Sequence, residues 1–154
     1  MSIHQKRGKF FEDFSEGEEY VTPSRTITEA DVTNFAGLTA DWSPVHTSIE
    51  ACKGGLFGER IAHGALTIVV AEGLQNRLNL WDDTFVGMVD REWSFKSAVK
   101  FGDTLTVKMK ITGKEEASDY PGCGLIKRYI TIENQRGEIV SEGEGTILIL
   151  KRTG

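Results

Sequence analysis

One stretch restricts the fold more than any other. From Gly64 the chain reads Ala65-Leu-Thr-Ile-Val-Val-Ala71, and a helix over about Gly64 to about Leu80 is apolar on nearly every face of its first half. Such a helix has to be buried on several sides, as when a sheet wraps it. The sequence after it supplies that sheet. From Thr104 to Ile111, apolar Leu105, Val107, Met109 and Ile111 alternate with Thr106, Lys108 and Lys110, the period of a half-buried strand. Two more β-rich runs, Leu125 to Glu133 and Glu144 to Leu150, are separated from it and from each other by the turn signals Tyr120-Pro-Gly-Cys-Gly and Asn134-Gln-Arg-Gly. Phe85 to Ser97 adds a further strand with Val89, Arg91, Trp93 and Phe95 on one face, and an early strand is expected over Glu19 to Ile27. Thr28-Glu-Ala-Asp31 opens a first helix with a hydroxyl cap and acidic residues in its first turn. One long helix inside a curled antiparallel sheet is an α+β arrangement.

At 154 residues, with 39% hydrophobic side chains, the chain is one domain (1–154) able to build a core without staples. Eighteen basic against twenty-three acidic side chains give a net charge of −5, which argues against nucleic acid or an anionic membrane as the partner. Cys52 and Cys123 fit no disulfide or metal spacing, no apolar run reaches the roughly 18 residues of a membrane span, and Met1-Ser-Ile-His-Gln-Lys-Arg7 lacks the apolar middle of a signal peptide. A reducing cytoplasmic location is the expectation.

Three stretches carry candidate chemistry. In Asp41-Trp42-Ser43-Pro44-Val45-His46, Pro44 keeps any helix from running through, so a carboxylate and an imidazole five residues apart sit on a bend where they can turn toward one space. That pairing suits general acid–base work; alternatively Asp41 is a turn residue and His46 a satisfied loop histidine. In Phe57-Gly-Glu-Arg-Ile-Ala-His63-Gly64, the apolar helix begins, and the first amides of a helix lack internal partners and carry the positive end of its dipole. A ligand carbonyl there would be polarised, with Gly64 allowing close approach; otherwise Gly64 only packs tightly and His63 is a partly buried cap. Glu72, an acid among apolar neighbours on the same helix, either has a function or faces solvent or a subunit boundary.

Taken together these residues resemble the MaoC-like dehydratase family, which has the hot-dog fold and includes (R)-specific enoyl-CoA hydratases. Phe11-Glu-Asp-Phe-Ser-Glu-Gly17 and Arg25-Thr-Ile-Thr-Glu-Ala-Asp31 are similar to that family's opening. Phe35-Ala-Gly-Leu-Thr-Ala-Asp41-Trp-Ser-Pro-Val-His46 resembles its hydratase signature, Asp-x-Asn-Pro-x-His, with Ser43 where the family usually has Asn. The resemblance implies reversible hydration of a trans-2-enoyl-CoA to an (R)-3-hydroxyacyl-CoA, with Asp41 and His46 as the catalytic pair and the Gly64 amide as oxyanion donor. Ser43, Trp42, Phe57 and His63 become substrate-binding candidates, with Leu56 beside them. No metal and no redox cofactor is implied, coenzyme A entering only as part of the substrate thioester. Its phosphates would need a local basic rim, for which Lys53, Arg60, Lys96 and Lys100 are candidates. The family's fold also implies that protomers pair through their sheets as a homodimer or higher homo-oligomer. Two other functions stay open: a thioesterase on the same fold with Glu72 as base or nucleophile, and a non-catalytic acyl-CoA-binding module.

Overall fold

In a computed structural model, which describes residues 7–152, a curved antiparallel sheet is laid around one long helix. Six strands form it: β1 (Glu19–Val21), β2 (Arg25–Thr26), β3 (Phe85–Phe95), β4 (Thr104–Glu116), β5 (Cys123–Glu133) and β6 (Ile139–Leu150). They lie in the order β1-β4-β5-β6-β3, with β2 also paired to β4. The helices are α1 (Glu29–Thr39), the single turns α2 (Pro44–Thr47) and α3 (Ile49–Cys52), and the long α4 (Gly64–Asn76).

The alternation in β4 does what its period implies: Leu105, Val107, Met109 and Ile111 are all buried, each contributing about 1.5–3 kcal/mol of hydrophobic burial. They meet Ile126, Ile130, Ile147 and Ile149 from β5 and β6, and Leu66, Val70, Ala71 and Leu74 from α4, in one core. Thr28 caps α1 as expected, its hydroxyl accepting from the Asp31 N–H while Asp31 accepts from the Thr28 N–H.

Three expectations are corrected. The early strand over Glu19 to Ile27 is two strands, because Pro23 has no N–H for the ladder and the chain steps from one stretch of β4 to another. The long helix ends at Asn76, not Leu80, and Asn79 just beyond it has the left-handed backbone that reverses the chain. Nor is α4 enclosed all round. Ala65, Val69 and Gly73, spaced four residues apart, form an open stripe, with Val69 58% exposed. Strand β3 at the sheet's edge is likewise open and apolar, with Phe85, Val86, Met88, Val89 and Phe95 exposed and only Arg91 and Trp93 of the expected face turned inward. Register shifts at Phe85/Gly87 and Met88/Asp90 separate the two behaviours.

The segment entering α4 is fastened on one side to the loop after β3. The Ala62 N–H donates to the Val99 carbonyl at 2.8 Å, and that loop is closed by Asp103, which is buried. The Asp103 carboxylate accepts from the Lys100 N–H at 2.9 Å, from Gln135 at 3.0 Å and from Arg136 at 2.9 Å. Burial opposes ionisation there, but these donors outweigh it and hold the carboxyl below its ordinary 3.8. A folded-state value below the unfolded one gives stability that is present above about pH 4 and is lost as pH falls through the lowered value. Asp103→Ala is therefore expected to lower stability near pH 7 by about 1–3 kcal/mol. In urea unfolding followed by circular dichroism, the gap from wild type should narrow on acidification below pH 4.

Candidate active site

Helix α1 ends at Ala40, whose left-handed backbone (φ 60°) turns the chain sharply and sets Asp41 at the mouth of the next segment. The break expected from Pro44 is made earlier, at Ala40, and Pro44 instead starts a helical turn of its own, as its fixed φ allows at a first helical position. His46 therefore sits on α2 and not on irregular loop.

Two backbone carbonyls aim the imidazoles. His46 Nδ1 lies 2.8 Å from the Ile61 carbonyl, so that nitrogen carries the hydrogen and Nε2 is left as an acceptor. His63 Nε2 lies 3.0 Å from the Asp41 carbonyl and donates to it, and is 3.9 Å from Asp41 Oδ2. The two rings lie against each other, with centroids 3.8 Å apart, and Phe35 packs on His63 at 5.1 Å. His63 is 2% exposed and caps no amide of α4, which replaces its expected role as a partly buried cap. Donor atoms of Asp41, His46 and His63 all lie within 4.8 Å of one another, a spacing that suits one bound water and that also matches the ligand set of a metal ion.

Ser43 faces Asp41. Its hydroxyl donates to Asp41 Oδ1 at 2.5 Å and its N–H to the same oxygen at 3.2 Å. The hydroxyl bond is the main cause, with the backbone bond second, of an Asp41 carboxyl held below 3.8 although the residue is exposed. Serine thus orients the carboxylate by a direct short contact.

Gly64 heads α4, where the first amides have no intrahelical acceptor. It lines a cavity of about 280 Å³ together with Phe57, Ile61, Thr67, Phe95 and Lys96. Asp41 and His46 are not part of that wall. The link between them and the cavity is the segment from Ile61 to Gly64: its first carbonyl holds His46 and its last residue lines the cavity. A Cβ at position 64 would come within 3.0 Å of the exposed Phe95 ring, which would have to shift by a few tenths of an ångström to admit it.

The other candidates separate. Phe57 lines the cavity, Leu56 lies beside it in a smaller groove with Pro44 and Val45, and Trp42 is more than half exposed. Lys53, Arg60, Lys96 and Lys100 are each paired with a carboxylate, Glu50, Glu29, Glu142 and Glu59 respectively, at 2.6–3.0 Å. Glu72 is held by Arg91 at 2.6 Å, well removed from the Asp41 site along α4. Sequence reasoning missed the Ile61 carbonyl, which no side chain announces, and the partnership of Glu72 with Arg91.

The sequence matches the MaoC like domain family over residues 13–125. It is 31% identical to an (R)-specific enoyl-CoA hydratase of Rhodospirillum rubrum over 147 residues, 93% of each chain. The fold superimposes on a MaoC-like dehydratase from Rhodospirillum rubrum with a TM-score of 0.85 at 25% identity, covering 96% of this chain and all of the other. It also matches a Mycobacterium tuberculosis protein described as a double hotdog fold, with a TM-score of 0.82 at 20% identity over 94% of this chain and 45% of that one, which bears on fold alone. The chain belongs to the MaoC-like family and has its hot-dog fold.

Replacing Ser43 by Ala removes the strongest hydrogen bond to the Asp41 carboxylate and is expected to raise its pKa toward the ordinary value. The change should be read by following the Asp41 carboxyl signal in an NMR titration against wild type.

Proposed function

We propose that the protein hydrates trans-2-enoyl-CoA thioesters reversibly to (R)-3-hydroxyacyl-CoA. The observation that carries this reading is the meeting of Asp41 and His46 on one small space, with the Nε2 lone pair of His46 left free by the Ile61 carbonyl, next to the segment that begins α4. The hydratase name of the Rhodospirillum rubrum relative supports the same reaction class.

In this mechanism one water is held by Asp41 and His46. As its oxygen bonds to C3 of the enoyl thioester, its proton passes to His46 Nε2, and the electron pair of the C2–C3 double bond moves into the thioester as an enolate. The Asp41 carboxylate stabilises the imidazolium. The Gly64 amide at the positive end of α4 donates to the thioester oxygen, where the charge collects. The proton then goes from the dyad to C2, and both groups return to their starting state. Coenzyme A is part of the substrate, and the chemistry calls on no redox cofactor.

Thioester hydrolysis by Glu72 is disfavoured, because that carboxylate is engaged by Arg91 and stands about two turns down α4 from Gly64. Asp41→Asn is expected to lower kcat/KM for crotonyl-CoA or a longer enoyl-CoA by ~10²–10⁴-fold. Loss of enoyl thioester absorbance measures it, and a thiol trap run in parallel should register no release. A variant that keeps most of the wild-type rate removes Asp41 from the mechanism.

The edge of β3, which no strand among the described residues pairs on its outer side, and its exposed Val86, Met88 and Val89 support pairing of two protomers through their sheets. Sedimentation should give a dimer for wild type and a monomer, or a much weaker dimer, for Val89→Lys.

A further inference from the structure

His63 touches both members of the Asp41 and His46 pair from a fixed position. Its backbone is clamped on both sides. The Ala62 N–H before it donates to the Val99 carbonyl, and the His63 carbonyl accepts the first N–H of the α4 ladder, from Thr67 at 3.3 Å. From there the side chain reaches back, placing Nε2 3.0 Å from the Asp41 carbonyl. A carbonyl only accepts, so the hydrogen sits on Nε2 and Nδ1 keeps a lone pair.

Asp41 has few other ties. Its N–H donates to Thr39 Oγ1 at 3.3 Å, and its carboxylate accepts from the Ser43 hydroxyl and N–H, all within two residues in sequence. The Trp42 N–H beside it turns back to the Ala40 carbonyl at 3.2 Å. Among the described residues, the bond from His63 is thus the one hydrogen bond that joins Asp41 to a distant part of the chain. His46 is touched in another way, ring against ring at 3.8 Å with a 32° tilt, while Phe35 packs on His63 at 5.1 Å.

Packing alone does not call for histidine here. His63 is 2% exposed and its Nδ1 has no hydrogen-bond partner among the described residues, and an unmet buried acceptor destabilises. A phenylalanine would fill the same room without that penalty. Nor does the imidazole serve the helix, since it caps no amide of α4. What it has, and a hydrocarbon ring lacks, is the Nε2 hydrogen aimed at Asp41.

We propose that His63 is a positioning residue for the acid–base pair. It ties the Asp41 main chain to the head of α4, backs the His46 ring with its own, and does not touch substrate. Its burial leaves almost no surface for the substrate contact expected of it from the family resemblance. Because Gly64 follows directly, one short segment sets the carboxylate and the oxyanion donor in a common frame. The consequence for rate rests on the hydratase reading above, since displacing an acid–base group slows catalysis only where that group acts.

Two substitutions separate what the ring does from what its N–H does. His63→Phe keeps a ring and removes the donor. His63→Gln removes the ring and keeps a donor, because its amide nitrogen stands as many bonds from Cα as Nε2 does. With an enoyl-CoA that wild type hydrates, His63→Phe is expected to lower kcat by about 10–100-fold and to leave KM within about twofold. His63→Gln should keep kcat within about fivefold of wild type. Stability in urea should run the other way: the phenylalanine variant matches or exceeds wild type, and the glutamine variant falls below it, having left a void beside His46 and Phe35. A residue that only packs would make rate follow stability, so the reversed order is the signature. Wild-type kcat in His63→Phe, a glutamine variant as slow as the phenylalanine one, or a loss that falls on KM would each overturn the proposal.

NMR of the intact protein gives a readout that needs no turnover. In wild type the His63 ring hydrogen should be found on Nε2, and the Asp41 carbonyl carbon signal should move in His63→Phe but stay near its wild-type position in His63→Gln. A ring hydrogen on Nδ1 in its place overturns the proposal even where neither variant folds. Failure of folded wild type to hydrate any enoyl-CoA counts against the hydratase reading, while the ring hydrogen and the Asp41 signal still decide whether His63 holds Asp41.

Discussion

The hydrogen bond from His46 Nδ1 to the Ile61 carbonyl is the contact on which the rest of the site depends. It fixes the tautomer, leaves Nε2 as acceptor, and ties the α2 turn to the segment that leads into α4. A second bond, from the Ile61 N–H to the Val45 carbonyl at 3.2 Å, closes the same link from the other direction, and Cys52 Sγ reaches the Pro44 and Val45 carbonyls behind it. Each such bond is worth only about 0.5–1.5 kcal/mol net. Their effect is on aim, and under the proposed hydration aim matters, because small displacements of an acid–base group cost large factors in rate.

Helix α4 then carries two polar clusters along one axis. Its first turn offers amide hydrogens without intrahelical acceptors, where the proposed reaction would collect negative charge, and glycine at its head leaves room for the Phe95 ring beside the cavity. Two turns later Glu72 and Gln75 reach down to arginines from the sheet. Leu66, Val70, Ala71 and Leu74 anchor the helix in the core between these ends, so both polar sites are held by the same apolar face. The opposite stripe, Ala65, Val69 and Gly73, is open in the single chain.

Much of this was legible because the signals are local. The β4 alternation and the Thr28 cap depend on neighbours within a few residues, and Asp41 and His46 are close in sequence, so their nearness was legible while the aim of the His46 ring, set by the Ile61 carbonyl, was not. What stayed hidden depends on register. Gly145 reads as one more turn or strand glycine until β5 and β6 are aligned, and only then does it become the gap between Arg91 and Arg128. The burial of His63 was hidden for a similar reason: the Asp41 carbonyl it binds is 22 residues away and carries no side-chain signature. The open stripe of α4 contradicts its composition, because apolar sequence states that a face avoids water without stating which surface covers it.

The two sets of cations differ in how freely they can be reassigned. Lys53, Lys96 and Lys100 are substantially exposed, with partners at the surface, and exposed ion pairs of this kind are worth about 0–1 kcal/mol. A phosphate arriving at the cavity mouth can therefore take Lys96 from Glu142 at little cost, and the acidic balance of the chain does not prevent a local basic contact. Arg128 has no such freedom. Packed between Gln75, Met109 and the Trp81 ring, it cannot turn to solvent.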